Sequence, residues 1–243
     1  MDLLQRHPPE TNGILMMNKT RSWFGLLALS LGVACADVGA ARAAIVIETL
    51  ENSVSGSAVV QISGAIERGD AQRLQAHLAS VGKGRQITVQ LDSTGGSIDE
   101  ALRIGRHFHA NRIRTEVVGK GRACLSACAL TFLAGRDASG APWRLKGAEA
   151  EIGFHAFKRL MPDKEFTVAD MQEAVATTQH ALLAIADYLT AIGADIEFMS
   201  MMLEKPNSEM NYLGNDKALT LGVHVLQQRT GQLVRAHPAA PRS

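Results

Sequence analysis

The chain has 243 residues, 46% of them apolar and 20% charged, with 25 Lys and Arg against 24 Asp and Glu and a formal net charge of +1. That is ordinary globular composition, with room for one substantial domain plus something small. A near-neutral balance leaves no electrostatic footprint for nucleic acid or for an anionic membrane surface.

The N-terminal region reads as an export signal. Lys19 and Arg21 precede an apolar run from Trp23 to Ala34, and small residues follow at Ala34-Cys35-Ala36 and at Ala41-Arg42-Ala43. The run is shorter than the ~20 residues that span a bilayer, which favours a cleaved signal, with cleavage near 36 or 43, over a retained anchor. Membrane association is expected only if this segment is retained. The polar stretch from Met1 to about Asn12 is atypical of a signal, and Met16 or Met17 is an alternative start. The chain thus divides into an N-terminal extension and signal over 1–43, a domain over 44–228, and a disordered Ala/Pro/Arg-rich tail over 229–243.

From Ala44 onward short apolar runs alternate with helical spacing. Strands are expected at 45–50 and 58–62, then a helix over 67–81 with Leu74, Leu78 and Val81 on one side. A strand at 87–91 ends in a Gly-rich loop. Ser97 opens the next helix, which runs to about Asn111, with Ser97 and Glu100 spaced as a capping box. A strand at 113–118 leads to a helix beginning near Ser126 and ending near Ala134; 136–147 reads as a polar loop, and 152–157 as a strand. A long helix is expected over 167–191, N-capped by Thr167. A second covers 195–203, a short one lies near 216–221, and a strand closes the pattern at 223–226. Such β–α alternation implies largely parallel strands joined by helical crossovers.

Three segments carry chemistry: Asp92-Ser93-Thr94-Gly95-Gly96-Ser97, Cys124-Leu125-Ser126-Ala127-Cys128 and Gly153-Phe154-His155. A serine at a strand-to-helix junction, a glycine pair that bares backbone N–H groups and a later histidine are the parts of an acyl-transfer site. Each part also has a plainer reading. Ser126 is a favoured helix N-cap residue, Gly95-Gly96 is a tight turn, and a lone histidine is usually a satisfied half-buried one. No Gly-Lys-Ser/Thr follows the glycines, which excludes a phosphate loop. His107 and His109 are two apart on one helix and make a poor metal pair. The cluster Met199, Met201 and Met202 reads as core or subunit-contact packing. No metal and no cofactor are expected.

Once the signal is removed, Cys124 and Cys128 are the cysteines that remain of the three. Export to an oxidising compartment allows a disulfide between them, provided Cys124 precedes the helix and Cys128 lies in its first turn. Two buried thiols packed in the core are the equal alternative. A metal site lacks closely spaced ligand pairs.

The run Leu91–Gly105 resembles the Ser-Pro-Gly-Gly segment of the Clp protease proteolytic subunit family. The Cys-x-Ser-x-Cys segment resembles that of bacterial periplasmic Clp-protease-like proteins. The resemblance covers roughly Ile45 to Leu226. It implies an α/β fold, the ββα superhelix shared with the crotonases, and a serine peptidase working through an acyl-enzyme on short or unfolded polypeptides. It further implies a periplasmic location, independence of ATP, and a homo-oligomer, as a trimer or a ring of six or seven. The matched positions make Ser126 the nucleophile and His155 the base, with the N–H groups of Gly95, Gly96 and Ala127 as oxyanion donors. Where the family has its acidic residue, ahead of an aromatic-Leu pair matched here by Tyr212-Leu213, this chain has Met210. Glu209 or Asn211 substitutes after a small register shift, and Asn211 is taken as the third member, since Asn orients the imidazole in papain-like sites. Two further functions stay open: a catalytically inactive binding or assembly module of the same fold, and crotonase-type acyl-CoA chemistry.

Overall fold

The computed structural model describes residues 44–50, 56–81, 84–157 and 165–237. The export signal, its two cleavage sites and the last residues of the tail lie outside the described residues. In chain order the first elements are β1 (Val46–Leu50), β2 (Ser57–Ser63), α1 (Asp70–Val81), β3 (Gln86–Asp92), α2 (Ile98–Ala110), β4 (Arg114–Val117), β5 (Ala123–Leu125) and α3 (Ala127–Phe132). They are followed by β6 (Arg144–Gly147), β7 (Glu151–Phe154), α4 (Val168–Ala191), α5 (Glu197–Glu204), β8 (Asn211–Tyr212), α6 (Asn215–Thr220), β9 (His224–Gln227) and β10 (Gln232–Val234).

The fold is mixed α/β, built on two sheets. The larger has the order β1-β2-β3-β4-β6-β9-β10; its inner strands β2, β3, β4, β6 and β9 run parallel, and β1 and β10 close the two edges antiparallel. The smaller has the order β5-β7-β8, with β5 and β7 parallel and β8 antiparallel. Alternation along β2 sends Ala58, Val60 and Ile62 into the core, all fully buried. Val89 and Leu91 of β3 do the same, and α1, α2 and α3 cover that side with Leu74, Leu78, Leu102, Ile104, Phe108 and Leu130.

Several expectations need correction. The tail is ordered past Arg229: a turn at Thr230-Gly231 folds β10 back on β9, pairing Leu233 with Leu226. Strands β5 and β6 occupy stretches expected as helix lead-in and polar loop. At the start of α2, Ser97 Oγ accepts the Glu100 N–H at 3.4 Å, but the box is only half made. The Glu100 carboxylate turns instead to the Ala71 N–H at 3.0 Å and to Arg103 at 2.8 Å, because Ser97 gives its own N–H to the Ile66 carbonyl. At α4 both halves of a box form, between Thr167 and Asp170.

Helix α4 has two unlike halves. Its C-terminal half buries Ile185, Tyr188 and Leu189. The Tyr188 hydroxyl donates to the Leu130 carbonyl of α3 at 2.8 Å and sits over Gly105 of α2, where a Cβ would lie 1.9 Å from its oxygen. Arg144, only 2% exposed, donates from Nη2 to the Ile192 carbonyl at 3.3 Å and so caps the helix end. Burial lowers its pKa to about 10. In the N-terminal half, Val168, Met171 and Val175 are 57–73% exposed. Among the described residues no helix is long and apolar enough to cross a membrane.

Candidate active site

The candidate residues gather where the parallel strands of both sheets end. β3 runs out at Asp92, and the next residue joins the small sheet: Ser93 donates its N–H to the Ala123 carbonyl at 2.8 Å and accepts the Leu125 N–H at 2.9 Å. Asp92 supports the same edge, with Oδ1 accepting the Ala123 N–H at 3.2 Å and Oδ2 paired with Arg122 at 2.6 Å. This pair is about a third exposed on each side, so water screens it and its role is alignment. β5 therefore ends at a fixed height, and Ser126 is the next residue.

Ser126 takes φ 56° and ψ −124°, a backbone conformation that side-chain-bearing residues rarely adopt. Such conformations cost roughly 1–3 kcal/mol and persist only where the surroundings over-determine them. Here its N–H donates to the Gly153 carbonyl at 2.8 Å and its carbonyl accepts the Ala129 N–H at 3.0 Å. Cys124 and Cys128, both fully buried, are joined by a disulfide across it, with Cα atoms 5.2 Å apart. The pairing has the geometry expected when one cysteine precedes the helix, and it rules out the metal alternative for these two. Ser126 occupies the N-cap position of α3 but makes no capping hydrogen bond. The plain reading of this residue as a helix cap is therefore wrong, and its hydroxyl is unengaged by the described residues.

The glycine turn lies against this elbow. At Gly95, φ +90°, a Cβ would fall 2.6 Å from the Leu125 carbonyl oxygen and 2.9 Å from both Ala127 N and Ser126 Cβ. At Gly96, φ +144°, a Cβ would fall 2.1 Å from the Ile66 carbonyl oxygen. Only glycine fits either place. The Gly95 carbonyl accepts the Ile66 N–H at 2.8 Å. In a trans peptide the carbonyl and the following N–H point opposite ways, so the Gly96 N–H faces away from Ile66. Neither it nor the Ala127 N–H has an acceptor among the described residues. The Gly95 N–H is spoken for: it donates to Ser93 Oγ at 3.1 Å. Of the three N–H groups expected as oxyanion donors, that of Gly95 is engaged, while those of Gly96 and Ala127 have no acceptor among the described residues.

β7 brings His155 to the same place. It pairs with β5 in parallel, Leu125 opposite Gly153, so Ser126 and His155 follow adjacent strand ends. Both line one crevice of about 10 Å³, whose other walls include Leu130, Phe154, Phe157 and Met202; that is room for about one water. No hydrogen bond joins the two side chains. The His155 Nδ1 lies 2.8 Å from the Ala156 carbonyl oxygen. A carbonyl only accepts, so Nδ1 carries the hydrogen and Nε2 of the neutral ring keeps its lone pair. Ala156 is itself held, donating its N–H to the Lys205 carbonyl at 3.0 Å.

The expected third member is elsewhere. Asn211 Nδ2 donates to the Met201 carbonyl at 3.1 Å and to Glu204 at 2.8 Å, tying β8 to the end of α5. Glu209 pairs with Lys205 on the surface, and Met210 packs over Gly153. Sequence reasoning missed Ser93 and the Ala156 carbonyl. The first has a signal, a hydroxyl two residues before a glycine N–H; a backbone carbonyl has none.

A cavity of about 580 Å³ lies at the opposite end of the main sheet, where α1 and α2 end and β3 begins. It holds none of these residues. Among the described residues no cluster of metal-ligating side chains occurs. No protein-family model matches the chain, and neither does any curated protein.

Proposed function

We propose that the chain is a serine peptidase of the ββα-superhelix kind, resembling the Clp protease proteolytic subunit, exported to the periplasm and acting without ATP on short or unfolded polypeptides. The observation that carries this reading is Ser126 in a strained elbow with an uncommitted hydroxyl. Strained strand-to-helix turns of this sort expose the nucleophile in hydrolases. His155 Nε2 takes the hydroxyl proton as Oγ bonds to the scissile carbonyl carbon. The resulting oxyanion sits between the N–H groups of Gly96 and Ala127. Collapse breaks the C–N bond, the leaving amine takes the proton from Nε2, and an ester on Ser126 remains. Water, deprotonated by the same Nε2, then attacks the ester and frees the acid.

In this scheme the Ala156 carbonyl fills the orienting role of the missing acid. It fixes the tautomer, the failure of which dominates the ~10⁴-fold loss when a triad Asp becomes Asn. A dipole stabilises the imidazolium less than a carboxylate does, so turnover is expected to be slow. A fluorophosphonate probe is expected to label the wild type and not Ser126→Ala. No labelling at any pH between about 6 and 9 overturns the proposal.

A second reading, a peptide-binding module without turnover, draws support from the absence of any described carboxylate or side-chain amide bonded to His155 and from the narrow crevice. Equal rescue of a deletion phenotype by wild type and Ser126→Ala favours it. Either reading has the chain assembling with its own copies, and the exposed apolar residues of α4 support that.

A further inference from the structure

We propose that Ser93 is the positioning residue of the oxyanion site, holding the Gly95–Gly96 turn so that the Gly96 N–H faces the Ser126 elbow. The inference rests on the peptidase reading for its functional meaning and on geometry alone for its structural content. Ser93 is 3% exposed, and its backbone N–H and carbonyl are both used in the ladder to β5. Its Cα–Cβ direction is therefore fixed by the same strand that presents Ser126. From that position Oγ accepts the Gly95 N–H at 3.1 Å.

Past Gly96 the turn is anchored by the Ser97 N–H on the Ile66 carbonyl at 2.8 Å; before it, the Gly95 amide is tied to Ser93 and the Gly95 carbonyl to Ile66 at 2.8 Å. Between the two bonds of Gly95 lies one glycine with a positive φ, the residue type least able to hold a conformation by itself. Remove the hydroxyl and Gly95 keeps an orphaned inner N–H while its φ is released. The peptide plane carrying the Gly96 N–H then turns about the Ile66 bond, and the donor leaves the direction of the developing oxyanion. One residue thus registers both halves of the site: its backbone sets the height of the nucleophile, and its side chain sets the aim of the amide.

The test uses the full mature chain with Ser93→Ala and Ser93→Thr. Loss of a whole oxyanion donor costs about 10²–10³ in kcat, so a misaimed one is expected to cost about 10–100-fold in kcat toward a peptide ester, with KM within about 2-fold. Threonine keeps the hydroxyl and is expected to restore kcat to within about 3-fold of wild type. In parallel, amide hydrogen exchange is expected to lose protection at Gly95 in Ser93→Ala, while the β3 amides stay protected. Unchanged kcat in Ser93→Ala overturns the proposal. So does unchanged Gly95 protection, and that second result is readable even if the wild type turns over no substrate, an outcome that would sink the peptidase reading by itself.

Discussion

Ser126 and His155, the proposed nucleophile and base, are held in opposite ways. Ser126 is fixed by an N–H bond to Gly153, by the first turn of α3, by a disulfide spanning it and by the glycine turn pressed on its Cβ. His155 stands just past the end of β7, steadied by one backbone carbonyl at 2.8 Å. Strain needs many restraints, and Ser126 is the strained residue. Orientation of a ring needs one acceptor of the right kind, and a carbonyl suffices to choose the tautomer. On the proposed peptidase reading, the Ala156 carbonyl would orient the imidazole where no described acidic residue does.

The sharpest way to break this contrast is at Gly96. Gly96→Ala drives a methyl to within 2.1 Å of the Ile66 carbonyl oxygen. It is expected to cost more than about 3 kcal/mol of stability, in the range of the worst single substitutions, and to abolish probe labelling in whatever protein folds. Thermal unfolding within about 2 °C of wild type would show that the turn is not tightly held.

Next is the disulfide. Replacing Cys124 and Cys128 by alanine opens a five-residue loop, for which chain entropy gives a loss of about 2 kcal/mol. Calorimetry should find Tm lower by about 4–8 °C for a domain of this size. Labelling should slow with it, since Ser126 loses one of its restraints.

Asn211→Ala probes the other side. It removes hydrogen bonds to Met201 and Glu204, expected to cost about 1 kcal/mol, and should leave kcat within about 2-fold. A 10²-fold or greater fall in kcat, as for a true orienting residue, would return Asn211 to the site.

The smallest effect is a gain. Ser126→Gly relieves the positive φ while adding chain entropy to the unfolded state, for a net stabilisation of about 0.5–1 kcal/mol by urea unfolding. Destabilisation would mean that the elbow is not strained.

Much of the fold was legible because its signals are local. The Thr167 cap, the alternation of β2 and the helical spacing of α2 each depend on a few neighbouring residues. β6 was not legible: Arg144-Leu145-Lys146-Gly147 reads as a polar loop, yet all four are buried, the two cations finding acceptors at Ile192 and Asn215 far along the chain. β10 hides in a tail whose composition suggests disorder, and only its pairing with β9 makes it a strand. In the site, the order of glycines, serine and histidine is written in side chains. The proposed orienting group is not, because any residue at position 156 would supply that carbonyl. Asn211 had the right chemistry and the wrong neighbours.

Tyr188 ties these regions together mechanically. Its hydroxyl joins α4 to Leu130, four residues beyond Ser126 on α3, and its ring lies against Gly105 of α2. One side chain thus joins α4 both to α3, which follows Ser126, and to α2, which follows the glycine turn.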